Sequence, residues 1–295
     1  MLDPAPRSRV TVGDTTVTYL PDGEVHLEPT IFFPTSTAEG WASFAPYLDK
    51  DGRLPVSVGS FLIRTATHRV LVDLGLGAVD FEVPDLATFR GGLLLDSLRG
   101  EGLGPSDIDA VVFTHLHHDH VGWTSNVAPA PNAPGDRRLA GLTFPNARHL
   151  VSRAEWEHWK GTAEITGPDP VAVQQPLADV IEFLADGEEP VPGVRAVSTP
   201  GHTPGHTSLL VTDAVRTPQR LLILGDVMHT QAQISETQWN CRFDVDAEHG
   251  TRTRTALLEQ YRDPDTTVAA GHFAGSVFGR ILPPTTQHRW AAGMH

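Results

Sequence analysis

Cysteine, lysine and long apolar runs are all scarce in this chain of 295 residues. Cys241 is the single cysteine, so no intramolecular disulfide can form, and it reads as a small buried hydrophobe, with metal ligation the alternative. Lys50 and Lys160 are the only lysines and the formal net charge is −14, which leaves no electrostatic footprint for nucleic acid or an anionic membrane. An acidic chain does suit divalent cations. No apolar run approaches the ~20 residues that cross a bilayer. Met1 to Val10 carries prolines and arginines without an apolar core, so no signal peptide is expected. The expectation is a cytoplasmic protein with no nucleic-acid or membrane partner. Composition is ordinary for a globular fold, and the length can bury a sizeable core in a single domain over 1–295, with 1–10 as a loose tail.

Against these absences stands one dense stretch. Thr114-His115-Leu116-His117-His118-Asp119-His120 follows the apolar run Val111-Val112-Phe113 and reads as a metal-binding loop at the end of a buried strand. Histidine supplies borderline-soft nitrogen and aspartate supplies oxygen, a mixture that suits zinc and its neighbours. In extended chain His115 and His117 point to one side and can reach one ion; Asp119 and His120, where the chain turns, can reach a second. Three His and one Asp at this spacing would arise by accident roughly 0.002 times per chain.

The second half repeats the theme. Val194 to Ser198 runs into Pro200-Gly201-His202-Thr203-Pro204-Gly205-His206, Leu221 to Leu224 into Gly225-Asp226, and Thr267 to Ala270 into Gly271-His272. Four strand ends thus deliver seven ligand-type side chains, and strand ends gathered at one sheet edge are where active sites form. Elsewhere, Val12 to Leu20 alternates and Pro21-Asp22-Gly23 predicts a hairpin turn. Ser57 to Arg64 and His68 to Leu74 predict two strands, Leu93 to Gly102 a helix, Gly122 to Arg138 a loop, and Ser152 caps a helix containing Glu155, Trp156 and Trp159. The aromatic-rich segment 28–50 lacks periodicity and reads equally as core, as a pocket wall or as a subunit contact.

These residues resemble the metallo-β-lactamase superfamily, over roughly Val12 to His272. His115-Leu116-His117-His118-Asp119-His120 matches its H-x-H-x-D-H signature, and His202, Asp226 and His272 follow in order. The resemblance implies an α/β (α+β) fold, a four-layer αββα sandwich of two mixed β-sheets flanked by helices. It implies that His115, His117 and His202 hold one metal, that Asp119, His120 and His272 hold a second, and that Asp226 bridges them. The two ions would be zinc, with manganese, cobalt or iron accepted by the same donors. Gly225-Asp226-Val227-Met228-His229 is closer to the methyl parathion hydrolase branch than to the bacillary acyl-homoserine lactonases, which carry tyrosine where this chain has His229.

The implied activity is hydrolysis of a lactone or ester by a metal-bridging hydroxide, with Asp119, Asp226 and His229 as catalytic residues. Aryl-ester or phosphotriester hydrolysis is the alternative, as is a mono-iron persulfide dioxygenase using only His115, His202 and Asp226. Phe32, Phe33, Trp41, Phe44, Trp123 and Trp239 are the candidate substrate-binding wall, suited to a small molecule with an apolar or aryl group. Segment 28–50 is also the candidate homodimer contact. His118 and His206 are expected to support the loop rather than ligate, and Asp73 to orient a ligand histidine. His149 is expected to pack or lie at the surface.

Overall fold

The computed structural model describes residues 3–125, 141–213, 215–284 and 287–293. The expected loop at Gly122 to Arg138 therefore falls mostly outside the described residues. One sheet contains β1 (Ser8–Val12), β2 (Thr15–Leu27), β3 (Leu54–Arg64), β4 (Arg69–Val72), β5 (Asp80–Val83), β6 (Ala87–Arg90), β7 (Ala110–Val112), β8 (Arg148–Val151) and β9 (Ile181–Phe183). Its strand order is β5-β6-β2-β3-β4-β7-β8-β9, with β1 also paired to β2. The second sheet runs in order through β10 (Val194–Ser198), β11 (Thr207–Thr212), β12 (Arg220–Ile223), β13 (Thr266–Ala269), β14 (Phe278–Leu282) and β15 (Arg289–Ala292). Both sheets are mixed: β4, β7, β8 and β9 pair in parallel, as do β12 and β13.

Alternation along the strands creates the layers. Val70, Val72, Ala110 and Val112 share a buried cluster with Leu209, Val211, Leu221 and Ile223 of the other sheet. Between them, Leu71 and Val111 point to the opposite face, against Leu94 and Leu98 of α1 (Leu94–Arg99) and Trp156 and Trp159 of α2 (Arg153–Trp159). Likewise Leu210, Leu222 and Val268 turn outward onto Leu257, Leu258 and Tyr261, at and just beyond the end of α3 (Ala247–Gln260). The side-chain period of two in strands gives each sheet two buried faces, hence helix, sheet, sheet, helix.

The structure corrects two local expectations and narrows a third. Residues 3–10 are not a tail: β1 pairs with β2, and the Ala5 N–H donates to Ser57 Oγ at 2.7 Å. Pro21-Asp22-Gly23 does not end a hairpin, because β2 continues through it with a register shift between Pro21 and Gly23. Proline lacks the N–H a regular ladder needs, so it sits at an irregularity. The actual turn is at Gly13-Asp14, where Gly13 adopts φ +57°. Of the readings left open for segment 28–50, the structure supports core. The segment forms short helices at Pro29–Phe32 and Ala38–Ala42, and buries Phe32, Phe33 and Trp41 in a cluster with Trp239.

Two buried carboxylates anchor the loops that approach the sheet edge. Asp22 accepts from the N–H groups of Leu76, Gly77, Gly92 and Leu94 and from the Trp123 indole N–H. Glu155, fully buried in α2, accepts from Leu116 N–H at 3.0 Å and Trp159 Nε1–H at 2.7 Å on one oxygen. Thr203 Oγ1–H at 2.6 Å and Gly205 N–H at 3.1 Å donate to the other. One side chain thereby ties the His115–His120 loop to the His202–His206 loop.

Glu155→Ala would leave those donors buried without acceptors, at roughly 1–3 kcal/mol each. A loss of about 3 kcal/mol or more in denaturant unfolding is expected; a loss under about 1 kcal/mol would mean that water replaces the carboxylate. A second prediction concerns His149 on β8, which is fully buried. Burial pushes its pKa down to about 4. The unfolded chain takes up this proton near pH 6.5, so the stability contributed above 6.5 is lost as pH falls toward 4. Between pH 7.5 and 5 the group costs about 2 kcal/mol, and His149→Leu should flatten the stability profile by that amount. Parallel profiles for the two proteins would contradict it.

Candidate metal centre

Strands β7, β10, β12 and β13 all end at one edge of the sandwich, and the residues just beyond them meet there. His115 and His117 follow β7, His202 follows β10, Asp226 follows β12 and His272 follows β13. Ligand atoms of His115, His117, His202 and Asp226 all lie within 4.8 Å of one another, as do those of Asp119, His120, Asp226 and His272. Asp226 belongs to both groups. Its Oδ2 is 3.7 Å from His115 Nε2 and 3.4 Å from His202 Nε2, while Oδ1 is 3.2 Å from His120 Nε2 and 3.0 Å from His272 Nε2. In the first group, His117 Nδ1 lies 3.0 Å from His115 Nε2 and 2.9 Å from His202 Nε2.

The backbone is bent to make this possible. Gly225 takes φ +57°, and a Cβ there would come within 2.6 Å of His206 Nε2. His206 accepts the Asp226 N–H through that Nε2 at 2.9 Å and holds Thr199 Oγ1 through Nδ1 at 2.8 Å. It supports the loop, with burial pushing its pKa down to about 3.

The outward-facing nitrogens are tied down as well. His115 Nδ1 contacts Thr114 Oγ1 at 3.0 Å, and His120 Nδ1 contacts Asp73 Oδ2 at 2.9 Å. His202 Nδ1 meets Asp244 Oδ1 at 2.7 Å, and His272 Nδ1 meets the Ser57 carbonyl oxygen at 2.8 Å. A proton kept on Nδ1 leaves the Nε2 lone pair aimed inward, the form a metal requires. Asp73 also accepts from Thr114 N–H and Oγ1–H, so it fixes the loop and a histidine together.

Burial and neighbouring imidazoles press His115 and His117 well below the ordinary histidine range. Burial works the same way on His120, but Asp226, Asp119 and Asp73 outweigh it and hold His120 well above that range. Asp226 itself, though buried, is kept strongly ionised by His120, His272 and His115. Among the described residues, buried Asp226 Oδ1 has no hydrogen bond despite its close imidazoles. That orphaned oxygen, with five imidazoles and two carboxylates converging, fits a pair of borderline cations sharing one carboxylate.

Beside the centre opens a cavity of about 910 Å³, bordered by His117, His118, Asp119, His202, Asp226, His229 and His272. Of the six residues expected in the substrate wall, Phe32 borders it. Phe33, Trp41, Phe44, Trp123 and Trp239 do not. Trp123 is held on Asp22, and Trp41 packs on Trp239 at 4.8 Å in the core under segment 28–50. The wall comes instead from Leu27, Ile31, Phe81, Phe89 and Phe243, drawn largely from the β5–β6 hairpin and β2. His229 faces Asp226 Oδ2 through Nε2 at 3.2 Å. His118 lies outside both donor groups, with its ring edge-on to Phe89 at 5.6 Å. Glu155 and Asp244 as supports were not evident in the sequence: Glu155 stood out only as part of the helix capped by Ser152, and Asp244 stands in a stretch without a motif.

This chain is similar to several known proteins. An N-acyl homoserine lactonase of Bacillus sp is 29% identical over 184 residues, which is 58% of this chain and 64% of the relative. The N-acyl homoserine lactonase AttM of Rhizobium radiobacter is 31% identical over 60% of this chain and 63% of its own length. The matches thus span less than two thirds of these relatives. Among solved structures, the dizinc quorum-quenching lactonase AidC superposes with a TM-score of 0.79 at 21% identity over 98% of both chains. The hydrolase AbOPH gives 0.77 at 22% identity, over 98% of this chain and 97% of its own. At such identities the superpositions establish a common fold. A family model, the metallo-β-lactamase superfamily, matches residues 53–272, and the chain belongs to that superfamily.

Proposed function

We propose that the chain is a dinuclear metal-dependent hydrolase that opens a lactone or ester, with a neutral N-acyl lactone as the favoured substrate. The observation that carries this reading is Asp226, whose two oxygens face two separate donor groups. His115, His117 and His202 would hold one ion and Asp119, His120 and His272 the other, with zinc the best match to the donors. When bound, such a pair supplies hydroxide at neutral pH and polarises the carbonyl under attack.

The chain's own groups account for the remaining steps. Asp119, held well below the usual carboxylate range by His120, His118 and His272 against the effect of its burial, is ionised and borders the cavity. It can take the proton released as the nucleophile adds. His229 is pushed down by burial and stays neutral at pH 7, so one ring N–H is available to the developing oxyanion or the leaving alkoxide. The apolar wall of Leu27, Ile31, Phe32, Phe81, Phe89 and Phe243 favours an acyl chain or aryl group over a charged one.

Metal analysis with a hydrolysis screen tests this directly. About two ions per chain are expected, with cleavage of an N-acyl lactone or aryl ester that chelation removes and zinc restores. One iron per chain with no esterase activity would favour the persulfide dioxygenase reading, and a metal-free active chain would end the metal reading. Asp244→Ala frees the outer nitrogen of His202; metal affinity measured by chelator competition should fall 10- to 100-fold. An unchanged affinity would remove Asp244 from the site.

A further inference from the structure

The hydrolytic reading has no use for Cys241, yet its thiol lies beside the centre. Ligand atoms of Cys241, His229 and His202 are all within 4.8 Å of one another, and the three residues border the cavity. His229 is 4% exposed; its Nε2 faces Asp226, and its Nδ1 is buried without a hydrogen-bond partner among the described residues. The ring is held in place. Phe32 and Phe33 pack edge-on to it, His272 stacks on it at 5.6 Å, and its backbone N–H donates to Gln233 Oε1 at 2.6 Å. Cys241 is fixed too: its N–H donates to Asp244 Oδ2 at 3.0 Å, and its sulfur accepts the Phe243 N–H at 3.3 Å. Asp244 and Asp226 both place negative charge near the sulfur, which favours a cation over a neutral ligand.

We propose that His229 Nδ1 and Cys241 Sγ form a third metal position, for a thiophilic divalent cation, on the cavity floor beside the Asp226-centred pair. Metal–sulfur and metal–nitrogen bonds of about 2.3 and 2.0 Å at a tetrahedral angle set the donors about 3.5 Å apart, and a ring nitrogen of His229 lies within 4.8 Å of the Cys241 sulfur. Binding displaces the thiol proton to solvent. His202 has one nitrogen on Asp244 and the other turned to the first donor group, so water from the cavity completes the coordination. Occupancy therefore requires metal in excess of the first two ions. That binding step stands on Cys241 and His229 alone. Its consequence, inhibition by excess zinc through capture of His229, rests on the hydrolase reading.

Cobalt(II) titration tests the site, because a thiolate-to-cobalt charge-transfer band can come only from Cys241, the single cysteine. The band should be absent through two equivalents, grow with the third, vanish in Cys241→Ser and need at least 10-fold more cobalt in His229→Ala. No band at excess cobalt, a band within the first two equivalents, or an unshifted titration in His229→Ala would overturn the proposal. Unchanged d–d absorption from the first two equivalents shows that a variant is folded, and its absence in the native chain would instead sink the paired-metal reading. If the variants fail to fold, cadmium-113 NMR of the native chain decides. A thiolate-range resonance is expected, and resonances only in the nitrogen–oxygen range would overturn the site.

Discussion

One buried carboxylate governs this structure. Asp226 is 3% exposed, and Nε2 atoms of His115, His120, His202, His229 and His272 all lie within 3.7 Å of its oxygens. An ionised group so far from water is tolerated only where opposite charge or donors surround it on every side. The imidazoles that surround it come from separate strand ends, so the sandwich must bring those ends to one edge before Asp226 can be buried. Fold and site therefore depend on each other through this residue.

Around it the chain spends its polar side chains on positioning. Glu155 joins two ligand loops, Asp73 and Asp244 each hold the outer nitrogen of a histidine, and His206 holds the Asp226 backbone. Four of the inward histidines thus present Nε2, while His117 presents Nδ1. Fixed tautomers and rings keep the lone pairs aimed before any ion arrives, which lowers the reorganisation that binding requires. Rigid chemistry at the strand ends contrasts with the cavity wall, which is built on the β5–β6 hairpin and the short helix Pro29–Phe32. The superfamily shares the metal core, so differences in substrate arise in walls of this kind.

Much of the candidate site was legible because its residues follow apolar strands directly: His115 to His120, His202, Asp226 and His272 stand just after runs that alternation and hydrophobicity mark as strands. The layers were legible for the same reason. The cavity wall was not. Its residues are 27, 31, 32, 81, 89 and 243 in sequence, set by strand pairing and hairpin placement that no local pattern encodes. Trp123 and Trp239 stand close to ligands in sequence but fold away from the cavity, Trp123 drawn to Asp22 and Trp239 to Trp41. Proximity along the chain was a poor guide there. The path of β2 through Pro21-Asp22-Gly23 was likewise hidden, since turn residues also serve a bulge.

In the proposed centre Asp226 links two metal positions. Electron paramagnetic resonance of the manganese(II)-loaded chain addresses it most directly, because ions bridged by one carboxylate couple magnetically. A coupled-pair spectrum is expected in the native chain, giving way to isolated-ion signals in Asp226→Ala. Isolated-ion signals from the fully loaded native chain would show that the two donor groups act separately, and the claim would fall.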